Sequence, residues 1–318
     1  MSFQGENMYY VFINPASGSN TGSAVWEEAK KILDEKQIPY TAYFTEKEKP
    51  ITDIYEQIYS STAERPIKLI VIGGDGTLDQ VVDGITHISE TELSLIRNGS
   101  GNDFTRDKSL PTDVGAALNG ILSRAHESMT DIGNVTYTCG TGPSGAPIPD
   151  GTHNFLVSAG FGYDADICYS SNHSPRLKKI LKSQIYTYYG VKDLFTTGLA
   201  DMEITIDDKI LLYPHVYFAA VMNEPFEGGG VPMAPDAVDT DGVLNCIVIY
   251  GLSRFEALML VPKLKSAKHL GHRGVSLING KKIHISSSIP KMVHYDGETP
   301  GLYKEFDAKI IGQIKLVY

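Results

Sequence analysis

The first third of the chain alternates apolar runs with segments whose apolar residues recur at helical spacing. Four apolar runs predict strands, at residues 9–13, 40–44, 67–72 and 93–96. Helical spacing predicts helices at residues 25–33, 50–60, 78–85 and 114–122. Strands interleaved with helices of this length are typical of βαβ units around a parallel sheet. Ligands of such sheets bind beyond the carboxyl ends of the strands.

Three of the predicted strands lead into loops rich in glycine and small polar residues. These loops are Asn14–Gly22, Gly73–Thr77 and Arg97–Asp103. Glycine lets the backbone approach a ligand closely, and the N–H groups of such turns form anion sites. The central loop has two interpretations: a nucleotide phosphate site with an acid, Asp75, or a tight turn whose Asp75 caps the next helix. Because all three loops fall on one sheet edge, the nucleotide site is favoured.

From about residue 130 the pattern changes to alternating segments that predict strands. These segments are residues 131–137, 154–158, 202–206, 210–221, 243–250 and 282–285. Many such strands predict an antiparallel β-sandwich or barrel. We therefore predict an α/β nucleotide-binding domain over residues 1–129 and a β-sandwich domain over residues 130–302. The segment from about residue 303 to 318 is expected to be able to return to the first domain.

Two basic helical inserts interrupt the second half. Ser174-Pro175 is a helix start, followed by Arg176, Lys178, Lys179 and Lys182, and Ser253–Glu256 is a capping box. Basic amphipathic helices can lie on membrane surfaces, or they can be solvated helices that cover a sheet. The pattern alone leaves both interpretations open.

Composition narrows the class of protein. The chain has 318 residues, a net charge of −10 and three widely spaced cysteines. The length predicts two domains, and the cysteine usage is typical of a reducing cytoplasm. The negative charge argues against nucleic-acid binding, although a local basic patch can still meet a membrane. No apolar run approaches the roughly 20 residues that span a bilayer, and the first residues lack a signal core.

The second half also carries two acidic turns, Asp236–Gly242 and Tyr295–Glu298. With Asp75, they supply carboxylates for magnesium and for proton abstraction. Neither turn has the ligand spacing of an EF-hand. His153, His215 and His294 lack metal-ligand spacing and are interpreted as structural.

Six short motifs occur in order along the chain. They are Asn14–Gly18, Gly73–Thr77, Gly99–Phe104, Gly160–Ala165, Asp241-Gly242 and Asp296–Glu298. Together they resemble the diacylglycerol kinase catalytic-domain family, which includes bacterial soluble lipid kinases and the sphingosine and ceramide kinases. The resemblance runs from about residue 8 to the C-terminus, and six motifs in register are far more specific than one.

The resemblance implies a fold and an activity. The first domain would be similar to that of NAD kinases and phosphofructokinases, and the second would be a β-sandwich. The implied activity is ATP-dependent, Mg²⁺-dependent phosphorylation of a lipid hydroxyl, with diacylglycerol as the favoured acceptor. The implied partner is a lipid at a membrane surface, which a cytoplasmic protein would meet peripherally; a homodimer is plausible.

Roles for individual residues follow from the resemblance. Glu298 would be the proton acceptor, with Asp75 and Asp296 in the same acidic network, and Glu298 ranks above Asp75 as the base. Magnesium would be held by the Asp241 side chain and by the carbonyl oxygens of Val238 and Val243. The nucleotide would be bound by Asn14, Pro15, Ala16, Ser17, Gly18, Thr45, Gly73, Gly74, Asp75, Gly76, Thr77, Ser100, Asn102 and Asp103.

Arg97-Asn98 departs from the family pattern, in which proline and a small residue often precede the glycine, and this puts the donor nucleotide in doubt. Two alternatives stay open. An NAD kinase shares the Gly-Gly-Asp-Gly-Thr turn, but the Gly99–Phe104 and Asp296–Glu298 motifs argue against it. A nucleotide-binding regulatory module without phosphotransfer is the other, and the intact Asp75, Asp241 and Glu298 argue against that.

Overall fold

The structure, a computed structural model, describes residues 8–45, 50–99, 101–106, 108, 110–181 and 184–318, with only the backbone at residues 178 and 179. It divides the chain into two compact units. The first is Met1–Thr130 together with Gly312–Tyr318, and the second is Asp131–Ile311. No helix within the described ranges is long and apolar enough to cross a bilayer.

The first unit is built on a parallel sheet. Strand β1 pairs in parallel with β2 and β3, and β3 pairs in parallel with β4. The end of the chain adds a further parallel neighbour, with Lys315 and Leu316 opposite Glu92 and Leu93 of β4. In chain order the elements are β1 (Tyr9–Ile13), α1 (Ser17–Asn20), α2 (Gly22–Glu35), β2 (Tyr40–Phe44), α3 (Ile51–Ser61), β3 (Ile67–Gly73), α4 (Asp75–Asp83), a 3₁₀ turn (Ile88–Glu90), β4 (Thr91–Arg97) and α5 (Val114–Ser123).

Helices cover both faces of this sheet, which explains the nearly continuous apolar sequence of its central strands. On one face, Trp26 and Leu33 of α2 and Leu118 of α5 pack against β1 and β3. Elsewhere in the unit, α3 and α4 bury Tyr55 and Val81. Because β1, β3 and β4 are parallel, the glycine-rich loops that follow them leave the same edge of the sheet.

The second unit is rich in antiparallel strands. Strand β11 pairs with β9, β10 and β12, and β14 pairs with β9, β10 and β15. The strands are β5 (Glu127–Thr138), β6 (Gly140–Thr141), β7 (Pro147–Ile148), β8 (Gly151–Phe155), β9 (Ser158–Gly162), β10 (Ala200–Ile206), β11 (Lys209–Met222), β12 (Leu244–Tyr250), β13 (Val275–Gly280), β14 (Lys282–Tyr295) and β15 (Glu298–Val317). The helices are α6 (Tyr163–Asn172), α7 (Pro175–Leu181), α8 (Gln184–Leu194) and α9 (Arg254–Lys265).

Several predicted elements differ from the structure in their bounds. The single strand expected at residues 154–158 is wrong: β8 ends at Phe155 and β9 begins at Ser158, because the N–H groups of Leu156 and Val157 donate to the Asp296 carboxylate. Helix α4 begins at Asp75 rather than at residue 78, since the N–H groups of residues 77 and 78 already donate to the Gly74 carbonyl. The strand expected at residues 282–285 continues to Tyr295.

Candidate active site

Side-chain hydrogen bonds join the glycine-rich loops of the first unit. The Asn14 amide Nδ2 donates to Thr77 Oγ1 at 3.0 Å, which ties the loop after β1 to the first turn of α4. The Asn98 amide Nδ2 donates to Ser17 Oγ at 2.9 Å, which ties the loop after β4 to the loop after β1. The structure therefore brings these predicted nucleotide-binding residues together, and Asn98 joins them although its family position is usually a small residue.

Asp75 connects the loops after β3 and β4. It is the first residue of α4, and its Oδ2 accepts the N–H of Asp103 at 3.1 Å. A Cβ added at Gly101 would lie 3.0 Å from the same oxygen, so the chain passes close to the carboxylate there. This contact gives Asp75 a role in holding the two loops in register, beside the role in catalysis expected from the sequence.

The loops after β3 and β4 approach each other so closely that both need glycine. A Cβ on Gly74 would lie 2.8 Å from the Gly99 Cα, and a Cβ on Gly99 would lie 2.6 Å from the Gly74 Cα. At Gly76, by contrast, an added Cβ meets no atom of the described residues within 4 Å. The start of α4 is therefore open beside Gly76, as a helix N-terminus that receives an anion requires.

The other predicted nucleotide-binding residues lie at the same sheet edge. Thr45 follows β2, and its N–H donates to the Ile13 carbonyl at 2.8 Å, which places it beside the end of β1.

The remaining predicted residues lie in the loops themselves. The Ala16 N–H, next to Pro15, donates to Asn14 Oδ1 at 3.0 Å, and Gly18 has a left-handed φ of 59°. A Cβ on Gly73 would meet the Thr77 side chain at 2.5 Å. Asn102 Nδ2 donates to the Gly99 carbonyl. Ser100 lies outside the described residues.

In the second unit, Asp296 and Gly297 form the turn between β14 and β15. Their φ angles, 42° and 92°, are the pair of positive values typical of a tight hairpin turn. The Asp296 carboxylate accepts the N–H groups of Leu156, Val157 and Ser158 at 2.8–2.9 Å. Burial raises the pKa of Asp296, and these three donors lower it in part. Asp296 thus fixes the turn, while Glu298 is exposed at the start of β15.

The loop with the predicted magnesium ligands is held by Asp131, a residue to which the sequence assigned no site role. The fully buried Asp131 carboxylate accepts the Gly242 N–H at 2.7 Å, and its own N–H donates to the Asp239 carbonyl at 2.6 Å. Asp241 is exposed, and its Oδ1 accepts the Val243 N–H at 2.9 Å. A carboxylate and the main-chain oxygens of Val238 and Val243 are the hard ligands that Mg²⁺ takes, so the donor set fits that ion.

A second cluster of ionisable side chains was missed by the sequence analysis. His294 Nε2 lies 3.1 Å from Asp164 Oδ2 and 3.0 Å from Glu227 Oε1. Burial alone would lower the pKa of His294, but Cys168, Glu227 and Asp164 raise it well above its ordinary value. The three residues are far apart in the sequence, so spacing gave no signal. The motif around Asp164 singled out one of them, and His294 was interpreted as structural because it lacks metal-ligand spacing.

Known proteins match this chain along nearly its whole length. Residues 8–135 match the family model described as "Diacylglycerol kinase catalytic domain", and residues 157–307 match "YegS C-terminal NAD kinase beta sandwich-like domain". A Bacillus subtilis protein named "Putative lipid kinase YtlR" is 25% identical over 300 residues, which cover 92% of this chain and 94% of that protein. A diacylglycerol kinase of Staphylococcus epidermidis is 27% identical over 292 residues, covering 92% and 85%.

A solved structure shares the fold. It is described as a "putative diacylglycerol kinase" from Bacillus anthracis, and it matches with a TM-score of 0.76 at 18% identity, covering 100% of this chain and 98% of that one. The resemblance inferred from the six motifs is confirmed by the two family models and the named relatives. Residues 8–135 of the chain thus belong to the diacylglycerol kinase catalytic-domain family, and residues 157–307 to the YegS C-terminal beta sandwich-like domains.

Proposed function

We propose that this protein is an ATP-dependent lipid kinase, which transfers the terminal phosphoryl group of ATP to a lipid hydroxyl. Diacylglycerol is the favoured acceptor, because several relatives are named diacylglycerol kinase. The observation that carries the proposal is the joining of three glycine-rich loops at one edge of a parallel sheet.

Phosphoryl transfer needs placement of the phosphates and neutralisation of charge more than covalent help. The start of α4 and the N–H groups of the loops would bind the phosphates, since glycine at positions 74, 76 and 99 keeps side chains away from them. Asn14 and Asn98 would keep the loops in place by their bonds to Thr77 and Ser17. The loops would therefore form the phosphate-binding site before the nucleotide binds.

Asp241 and the carbonyl oxygens of Val238 and Val243 would hold Mg²⁺. When bound, Mg²⁺ supplies positive charge that stabilises phosphate oxygens during transfer. Asp131 holds the loop by accepting the Gly242 N–H, so it would position these ligands without binding the ion itself.

Glu298 would take the proton of the lipid hydroxyl. Its side chain is exposed at the end of a tight turn, where an acceptor can reach it. Asp296 is better suited to hold that turn, because its carboxylate already accepts three N–H groups. Asp75 ranks second as the base, since its Oδ2 accepts the Asp103 N–H.

Access to a lipid acceptor suggests peripheral association with a membrane surface from the cytoplasm. Large apolar side chains are exposed on or beside α7, α8 and α9, with Ile180 77%, Phe195 58%, Phe255 70% and Met259 55% exposed. Lys263 and Lys265 lie in the last turn of α9. This combination fits an interfacial surface, in which apolar groups enter the lipid and cations meet its headgroups. The side chains of Lys178, Lys179 and Lys182 lie outside the described part of the chain.

The test is transfer from radiolabelled ATP in mixed micelles that contain diacylglycerols, sphingoid bases or prenols, with NAD in a parallel reaction. We expect wild-type protein to label diacylglycerol. Glu298→Gln should abolish labelling while ATP still binds, because the variant keeps the shape of the side chain and loses its basicity. Glu305→Gln, on the same strand β15, is the matched control and should retain activity.

Each other result contradicts a stated part of the proposal. Labelled NAD would indicate an NAD kinase-like enzyme, and nucleotide binding without any transfer would indicate a regulatory module. Labelling of sphingoid bases or prenols alone would change the acceptor and keep the lipid kinase. Wild-type turnover in Glu298→Gln would remove Glu298 from the role of base.

A further inference from the structure

Three ionisable side chains of the second unit converge on one buried point. Asp164 lies in the first turn of α6, His294 lies on β14, and Glu227 lies just before a run of three glycines. His294 Nε2 is 3.1 Å from Asp164 Oδ2 and 3.0 Å from Glu227 Oε1. The side chains of Asp164, Glu227 and His294 are 7%, 13% and 1% exposed. The donor atoms lie within 4.8 Å of one another.

Hydrogen bonding alone does not satisfy this arrangement. A ring nitrogen carries at most one proton, but two carboxylate oxygens lie within hydrogen-bond distance of the same Nε2. Within the described residues, Glu227 Oε2 is buried and has no hydrogen-bond partner. Buried polar atoms of proteins are nearly always paired, so the cluster has capacity for a further partner.

An exposed histidine on the same strand provides the contrast. His284 also meets two carboxylates, but it uses a different nitrogen for each: Nδ1 lies 2.9 Å from Asp307 Oδ1, and Nε2 lies 3.5 Å from Glu305 Oε2. That geometry is an ordinary pair of ion contacts at the surface. At His294, both carboxylates instead lie within 3.1 Å of the same nitrogen, so three possible ligand atoms converge on one point.

The charge balance points the same way. Two carboxylates and an imidazolium would leave a formal charge of −1 in a buried cluster, whereas a divalent cation with a neutral imidazole brings the sum to zero. Lys291, whose charge also acts on Asp164, donates its hydrogen bonds to the Gly198 carbonyl and the Thr197 hydroxyl. A bound dication would therefore neutralise the three side chains directly, without relying on the Lys291 charge.

The backbone around the cluster leaves room at the donor atoms. Gly160 is opposite His294 in the β9–β14 pair, and a Cβ there would lie 1.9 Å from Asp164 Oδ2 and 2.1 Å from His294 Nε2. A residue other than glycine would place its Cβ on the Asp164 and His294 ligand atoms. Glu227 is held by its bridge to Val231 across the left-handed glycines 228–230.

We propose that Asp164 Oδ2, Glu227 Oε1 and His294 Nε2 bind a divalent first-row transition-metal ion, of which Zn²⁺ and Mn²⁺ are the natural candidates. A set of one imidazole and two carboxylates favours such ions over Mg²⁺, which prefers oxygen ligands alone. The site shares none of its ligands with the proposed Mg²⁺ site on the Asp241 loop, and it does not depend on the proposed kinase activity.

The ion would be a structural one that fixes α6 against β14. His294 lies two residues before Asp296, and Asn172 at the other end of α6 donates its Nδ2 to the Gly297 carbonyl at 2.8 Å. Occupancy would therefore stabilise the turn that carries Glu298.

The test is a titration of the full-length, chelator-treated protein with Co²⁺ in excess Mg²⁺, followed by the visible absorption of bound Co²⁺ and by competition with Zn²⁺ and Mn²⁺. We expect one saturable equivalent in the wild type. His294→Asn and Glu227→Gln should each weaken binding by about tenfold or more, since each removes a ligand or its charge. His284→Asn should bind as the wild type does.

Three results would overturn the proposal. One is a wild type without saturable Co²⁺ binding, and the second is equal affinity in Glu227→Gln, a substitution that keeps the shape of the side chain and can be checked for folding by circular dichroism. The third is a doubly protonated His294 in nitrogen NMR spectra of protein saturated with Zn²⁺, because a metal-bound Nε2 carries no proton.

Discussion

Glu92 and Arg124 form a bidentate ion pair in the first unit. Arg124 Nη1 and Nη2 donate to Glu92 Oε2 and Oε1, both at 2.7 Å, and Glu92 is only 6% exposed. Arg124 follows α5 in the left-handed conformation, with φ 52°, which directs it back toward β4. The hydrogen bonds from Arg124 lower the pKa of Glu92 against the opposing effect of burial.

The Glu92 carboxylate should therefore stabilise the folded state at pH values above the ordinary pKa of a glutamate. A pKa that is lower in the folded state gives stabilisation that is present above the unfolded value and is lost as the pH falls toward the folded value. We expect Glu92→Gln to cost about 2 kcal/mol at neutral pH. The difference from wild type should shrink below about pH 4. Urea unfolding at several pH values measures both.

Glu35→Gln is the control for this prediction. Its pair with Lys31, at 3.9 Å, is exposed on α2, and such pairs contribute little. If the loss of unfolding free energy in Glu92→Gln stayed constant down to pH 3, the assigned direction of the Glu92 pKa would be contradicted.

Single residues also show how far the sequence could predict the site. Gly73–Thr77 was identified because a short local motif carries its own chemistry. Asn98, Asp131 and Glu227 were not, because their partners, Ser17, Gly242 and His294, are chosen by the packing of distant segments. Likewise, the role of Asp296 in fixing its turn depends on three N–H groups from the opposite end of the second unit's sequence.

At the scale of elements, the sequence predicted correctly those features that depend on interactions between neighbouring residues. The capping box predicted at Ser253–Glu256 is confirmed: the Ser253 hydroxyl accepts the Glu256 N–H, and the Glu256 carboxylate accepts the Ser253 N–H. The strand expected at residues 154–158 failed because a carboxylate far along the chain interrupts its hydrogen bonding. Apolar alternation therefore predicts that a strand exists better than it predicts where it ends.

Helix α9 carries the element-level prediction, since Phe255 and Met259 are one turn apart and both exposed. Replacing both by serine should weaken binding to anionic vesicles by about a hundredfold or more, because full burial of each large apolar side chain stabilises the bound state by about 1.5–3 kcal/mol and about 1.4 kcal/mol changes affinity tenfold. Sedimentation with vesicles measures the bound fraction. Ile210→Ser and Leu212→Ser, which remove exposed apolar groups from β11, are the control and should leave binding unchanged. Equal losses in both variants would indicate a general effect of surface hydrophobicity.

At the scale of the whole molecule, the division of the chain is discontinuous. Strand β15 contributes residues up to Ile311 to the second unit, and the residues from Gly312 onward belong to the first. Leu316 is fully buried and lies opposite Leu93 of β4. The sequence predicted the final apolar run but left its domain open, because an apolar strand can pair with either sheet.

Leu316→Ala should destabilise the first unit by about 2–4 kcal/mol through loss of buried contacts. Hydrogen exchange should report the change in β3 and β4. Lys309→Ala, at an exposed position earlier on β15, should stay within about 0.5 kcal/mol of wild type. Unchanged exchange in β4 of the Leu316 variant would show that the terminal segment is not needed there.

The returning segment also sets an order of events during synthesis. A ribosome makes the residues of the first unit before those of the second, yet the partner for the outer edge of β4 emerges only after Ile311. Until then, the nascent sheet presents an unpaired strand of the kind that invites wrong association. The unit whose residues are translated first is thus the unit whose sheet is completed last.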